Sequence, residues 1–242
     1  MLVQKDLSRA NRLISVVPAV GRGLFLEHSE LIELRLNEVL ARRGDPIAYA
    51  YFPIEGFISQ GLPTADATLS EVGLVGSEGM VNSSLVLGVP RASFTCVVQG
   101  AGRAFRMQRE HFNRLVAQDA QLRDVLNRYI EVRQVQLAQQ SVCMNQHSVE
   151  QRLARWLLMT RDRAHSSELF LTHEVLSVML GVRRESVTQS ARSFHNRGLI
   201  SYSRGYVMLH DEPGLQRLAC GCYDGDLSVY ANLLPHEYAA GH

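Results

Sequence analysis

Residues 172–210 read THEVLSVMLGVRRESVTQSARSFHNRGLISYSRGYVMLH, and the order of signals in this stretch decides the fold. Thr172 is a good N-cap, because its hydroxyl can accept from a backbone amide in the first turn of a helix. Val175, Leu176 and Met179 follow at helical spacing and predict an inner face. Gly181 ends that helix, since glycine takes the left-handed backbone conformation that turns the chain sharply. A second helix is expected over 184–196, with Val187, Ala191 and Phe194 turned toward the first. After Gly198, Leu199 to Ser203 and Tyr206 to His210 read as two strands joined at Arg204-Gly205. Two helices joined by a glycine turn and followed by a hairpin make a winged helix-turn-helix pattern.

The outer face of the second helix carries Arg184, Glu185 and Gln189. A guanidinium can donate twice to guanine O6 and N7, a carboxylate can accept from cytosine N4, and a carboxamide can do both with adenine. These three are the expected base-contacting residues. Thr172, Arg183, Ser186, Thr188, Ser190, Arg192 and Arg204 are expected to meet backbone phosphates, which hold register without reading sequence. The chain as a whole has a formal net charge of only +1, yet residues 182–206 hold five arginines against the single acid Glu185. A local basic patch on a neutral protein implies one local anionic partner, here double-stranded DNA. A solvated charge cluster would account for the arginines, but not for the cap, the turn, the apolar face and the hairpin in that order.

Upstream, the chain changes character twice. Leu31, Leu34 and Leu36 among polar neighbours suggest short helices before about Asn37. From Glu38 to Met107, β-favouring runs (Ala48 to Phe52, Phe57 to Gln60, Thr68 to Val75, Phe94 to Gln99, Gly102 to Met107) alternate with Gly and Pro, as in a small sandwich or barrel. Between Gln108 and Gly181 no Gly or Pro occurs, and a long helix is expected. Within it, Leu122, Val125, Tyr129, Val132, Gln136, Gln139 and Cys143 recur at alternating three- and four-residue steps. That stripe suits either a core-facing helix or a seam with a second copy of the chain; its narrowness and partial polarity favour the seam of a homodimer. A hinge is expected at 145–148, followed by a capping box from Ser148 to Gln151. Val149, Leu153, Trp156 and Leu157 should form the inner face of the next helix, and Leu215 to Leu234 a packing helix.

Composition narrows the classes further. A hydrophobic share of 46% is enough for a real core. The four cysteines are too scattered for a disulfide framework and point to a reducing compartment. Cys220-Gly221-Cys222 is their only close pair and supplies half of a four-ligand zinc site. Buried structural thiols are therefore expected, with no metal and no cofactor. No apolar run is long enough for a membrane span, and the N-terminus, with Asp6, does not read as a signal peptide; a cytoplasmic location is expected. No nucleophile elbow and no phosphate-cradling glycine loop appears, so an enzyme is not expected.

Leu171-Thr172, Gly181, Arg184-Glu185-Ser186-Val187, Arg197-Gly198-Leu199-Ile200 and Ser203-Arg204-Gly205 resemble the winged-helix end of the Crp/Fnr family of bacterial regulators. Gly44-Asp45, the run Tyr51-Phe52-Pro53-Ile54-Glu55-Gly56 and Phe105-Arg106-Met107 resemble that family's cyclic-nucleotide-binding-like β-roll. The resemblance implies an α+β chain with a jelly-roll-like β-roll sensor at 1–118, a dimerisation helix and hinge at 119–147, and a winged helix-turn-helix with a C-terminal helix at 148–242. It also implies a homodimer on a two-fold symmetric operator, a contact with RNA polymerase, and a small-molecule effector of unknown identity. An effector pocket would involve Met80, Asn82, Arg91, Ser93 and Tyr129. The Glu that holds the ribose in cyclic-AMP receptors is missing, Asn82 standing near its place, and Arg91-Ala92-Ser93 repeats the phosphate element only in part; cyclic AMP is not the expected ligand. A ligand-independent regulator, or a receptor without DNA binding, are the alternatives.

Overall fold

The computed structural model describes residues 10–64 and 69–235; Asp6 and Thr68 lie outside them. Helices α1 (Arg12–Ser15) and α2 (Ala19–Glu27) lead into a β-sandwich. Its described strands are β1 (Ser29–Leu34), β2 (Val39–Ala41), β3 (Tyr49–Pro53), β4 (Phe57–Pro63), β5 (Leu69–Val75), β6 (Thr95–Gly100) and β7 (Gly102–Gln108). All neighbours are antiparallel: one sheet runs β1-β7-β3, the other β2-β6-β4-β5. Leu31 and Leu34, expected in helices with Leu36, sit in β1, where strand alternation rather than helical spacing sets their faces, and Leu36 lies in the turn after it. Phe52 and Phe105 pair across β3 and β7, and Phe25 of α2 stands edge-on to Phe52 at 4.7 Å.

The Gly- and Pro-free stretch is not one helix: it opens with three, α3 (Arg109–Gln118), α4 (Ala120–Gln146) and α5 (Val149–Ala164), and continues through a short strand into a fourth. Asp119 breaks the first from the second and caps the second by accepting from the Leu122 amide. The expected hinge is the short break at His147 and Ser148, and the Ser148–Gln151 capping box is formed.

The proposed homodimer stripe is instead part of this chain's own interior. Leu122, Val125, Tyr129 and Val132 lie in one core with β-roll residues such as Phe52 and Phe105, joined by Tyr230 and Leu234 from the chain's end. Gln136 and Cys143 are buried as well, while Gln139 is half-buried and hydrogen-bonded to Cys222. A three-and-four repeat reports that a helix face is covered but not by which chain. Here the cover is the β-roll at one end and, at the other, helix α9 (Cys222–Leu233), which packs along α4.

The remaining elements form the reader half: β8 (Glu168–Phe170), α6 (His173–Leu180), α7 (Arg184–Asn196), β9 (Ile200–Ser203), β10 (Tyr206–Leu209) and α8 (Glu212–Leu218). The expected single C-terminal helix is thus two, α8 and α9. Reader and β-roll share a packed boundary, in which Trp156 of α5 stands edge-on to Phe57 at 6.3 Å and donates to Glu71 Oε1 at 3.1 Å. Glu71 is buried there, and that burial pushes its carboxyl up to about 8.

Candidate nucleic-acid interface

Thr172 caps α6 by accepting from the Val175 amide at 3.2 Å. Gly181 closes the helix at φ +60°, with its amide and that of Val182 donating to the carbonyls of Val178 and Ser177. Arg152 of α5 reaches the Leu180 carbonyl, which places a cation on the negative end of α6. The glycine turn then starts α7 after Arg183. Val187, Ala191 and Phe194 are buried, as their spacing requires, and Val187 and Phe194 share a core with Leu176, Met179, Leu199 and Val207. Glu150 holds α7 from below, accepting from Ser193 Oγ at 2.8 Å and pairing with Arg197 at 3.6 Å.

Arg184, Glu185 and Arg192 are exposed on the opposite face, with the exposed Gln189 beside them, and Arg183, also exposed, stands at the N-cap of the helix. Thr188 is half-buried between them; its hydroxyl donates to the Arg184 carbonyl and shares a hydrogen bond with His173 Nδ1, both at 3.0 Å. That contact ties α7 to α6. Burial, and then the Arg184 charge, lowers the His173 pKa, and its ring stacks on Tyr202 at 4.5 Å. Ser186 is half-buried, and the Thr172 hydroxyl is already engaged in its cap.

Ser190 departs from expectation. It is buried on the inner face, one turn from Val187 and Phe194, and not on the exposed face that carries Arg184 and Gln189. The wing is formed by β9 and β10, with Arg204 at φ +50° and Gly205 at φ +87° in the tight turn that the twist of a hairpin prefers. Arg204 is exposed at its tip, and the Gly205 carbonyl accepts from the Leu171 amide at 2.7 Å, which fastens the wing to the start of the motif.

The expected effector residues divide. Asn82 and Ser93 line a cavity of about 260 Å³ between the β-roll and α4. Met80 and Tyr129 do not: both are fully buried, and the Tyr129 hydroxyl accepts from the Met80 amide at 3.1 Å. Gly79 makes that packing possible, since a Cβ there would overlap the Tyr129 oxygen. Arg91 is exposed and donates to the Gly44 carbonyl at 2.7 Å, away from the cavity. The cationic group in the wall is Arg133 of α4, which the sequence reading missed. It donates to Gln60 Oε1 at 2.6 Å, to Gln136 Oε1 at 2.9 Å and to the Leu74 carbonyl at 2.9 Å. No short-range signal marks it, because its partner Gln60 is on β4, 73 residues earlier in the chain.

The model of a cyclic nucleotide-binding domain matches residues 31–119, and that of a Crp-like helix-turn-helix domain matches residues 151–218, together well over half of the chain. No curated protein matches the chain in sequence. Among solved structures, FixK2 from Bradyrhizobium japonicum is similar over 79% of this chain and 98% of its own, at 14% identity and a TM-score of 0.66. The regulator CLP of Xanthomonas campestris, described as c-di-GMP responsive, is similar over 80% of this chain and 100% of its own, at 18% identity and a TM-score of 0.63. A CRP-family transcriptional regulator of Thermus thermophilus covers 78% of this chain and 96% of its own, at 19% identity and the same TM-score. At these identities the structural likeness speaks for the fold, while the two domain matches speak for the family. The chain therefore belongs to the Crp/Fnr family, as a DNA-binding transcription regulator that joins a cyclic-nucleotide-binding-like domain to a helix-turn-helix.

Proposed function

We propose that the chain works as a homodimer on a two-fold symmetric operator, with α7 in the major groove and its output set by a signal received at the β-roll. The observation that carries this reading is the single exposed face of Arg184, Glu185 and Gln189 on a helix whose other face is fixed to the core. Arg183, Arg192 and Arg204 flank that face and serve as phosphate contacts, joined by Thr172, Ser186 and Thr188 only where their hydroxyls have capacity to spare.

The dimer contact moves to the face of α4 left free by the chain's own core. Arg123, Asn127, Ile130, Gln134, Leu137, Ser141 and Met144 alternate four- and three-residue steps, and all are exposed or half-exposed. Pairing there would set two recognition helices one DNA turn, about 34 Å, apart. The cavity beside Asn82, Ser93 and Arg133 adjoins the same face through Ile130 and Leu137, so a polar or anionic ligand there would bear on the pairing. RNA polymerase is the partner that the family implies for such a regulator.

Operator selection with the purified protein tests the reading, paired with sedimentation of the wild type and of Leu137→Glu. A selected palindrome bound by a dimer supports it, and Leu137→Glu should be monomeric and bind that site weakly. Enrichment of no sequence, or an asymmetric site bound by one chain, refutes it.

A further inference from the structure

Four side chains that have no part in DNA contact converge where α4 ends. Cys143 occupies the last turn of α4, and His147 is its C-cap, so the four-residue step puts both on one side of the helix. Cys220 precedes α9 and Cys222 is its first residue. The three sulfurs and an imidazole nitrogen all lie within 4.8 Å of one another. Cys143 Sγ is 3.5 Å from Cys220 Sγ, and Cys222 Sγ is 3.6 Å from His147 Nδ1. A tetrahedral ion with metal–sulfur bonds of about 2.3 Å holds its ligand sulfurs about 3.8 Å apart, so these separations are those of one coordination shell before loading.

The surroundings fit as well. The three thiols are buried together, while the half-exposed His147 leaves a way in. Gln139 Nε2 donates to Cys222 Sγ at 3.0 Å, the kind of contact that orients a ligating sulfur. Three thiolates and a divalent cation leave one negative charge, and the Arg155 guanidinium, ion-paired with Asp226, also stands close enough to Cys143 and Cys220 to interact with both. A disulfide would use two of the four groups and leave the imidazole unexplained.

We propose that Cys143, His147, Cys220 and Cys222 form a single-ion site for a thiophilic divalent metal, Zn²⁺ by its ligand set, that clasps the hinge between the β-roll and the DNA reader. Thiolate and imidazole donors select such ions over Mg²⁺ or Ca²⁺, which require oxygen. Binding exchanges three S–H protons, released to solvent, for three metal–sulfur bonds and one metal–nitrogen bond. The bound ion cross-links the end of α4 to the start of α9, across the point where Ser148 begins the helix that leads into the reader. Metal loss would free that joint. Sequence spacing showed half of this site; 77 residues separate Cys143 from Cys220, and the fold supplies the other half.

The reduced full-length protein is stripped with chelator and titrated with Co²⁺, then with Zn²⁺. Expected are one Co²⁺ per chain, tetrahedral visible bands with thiolate-to-cobalt charge transfer, and full displacement by one equivalent of Zn²⁺. Zn²⁺ at a thousandfold excess over Kd should raise Tm by roughly 8 °C or more. Cys220→Ser/Cys222→Ser and His147→Ala should abolish or weaken the cobalt signal; the wild-type spectrum decides the matter should a variant not fold. No stoichiometric metal, an octahedral cobalt spectrum, a sulfide-containing chromophore, or unchanged binding by the variants would each overturn the site. These readouts use no DNA, so their failure leaves the operator reading standing.

Discussion

Replacing Glu71 by Gln should make the protein's stability less dependent on pH, because the enclosed carboxyl has its pKa pushed up from 4.5 to about 8. Between those values the folded chain holds the proton that the unfolded chain has released. The contribution is therefore full below about pH 4.5 and is lost as pH rises through about 8. Each pH unit inside the window is worth about 1.4 kcal/mol, and the flattening near the upper end reduces the change from pH 6 to pH 8 to roughly 2 kcal/mol. For a chain of this size that is about 4–8 °C in Tm. Gln can still accept from Trp156 Nε1 through its oxygen and has no charge to lose. Thermal unfolding of both proteins at pH 6, 7 and 8 gives a direct readout. The Tm difference, Gln minus Glu, should grow by several degrees across the series. A constant difference, or a variant that loses more stability than the wild type at pH 8, would show that Glu71 is not held neutral at the boundary between β-roll and reader.

Arg184→Ala should cost about 1–3 kcal/mol of discrimination at one base pair of a selected operator, measured by competition binding with single-base substitutions. Arg204→Ala should instead weaken all sequences alike and flatten the salt dependence of log K by about one unit. Phe194→Ala, which empties a fully buried site under the recognition helix, should destabilise by about 3–5 kcal/mol in denaturant melts. Gly181→Ala forces a Cβ into the left-handed turn at φ +60° and should cost about 1 kcal/mol, with weaker DNA binding at equal folded fraction as the sign that the turn sets the helix angle.

The reader half was legible because its signals are local. Thr172, Gly181 and the Arg204-Gly205 turn each act within a few residues, and the inner face of α7 follows from spacing alone. Ser190 shows the cost of reading chemistry before periodicity: three residues from Val187 and four from Phe194, it belongs to the buried face whatever its hydroxyl could do. The β-roll half was legible as strands but not as partners. The α4 stripe was correctly seen as covered, yet its cover comes from β-strands before it and from Tyr230 and Leu234 after it, contacts that no short window contains. Arg133 and Met80 illustrate the same limit in and behind the cavity wall, where a side chain's neighbours depend on pairing between β4, β6 and α4 rather than on its own segment.

Tyr230 and Leu234 belong to the same apolar core as Phe25 and Phe52. Part of the β-roll interior therefore stays uncovered until α9 and the residues just after it have packed against it. The β-roll cannot complete its core ahead of α9. Any truncation that removes α9 would strip cover from the long helix, so its damage should appear first in the domain farthest away along the chain.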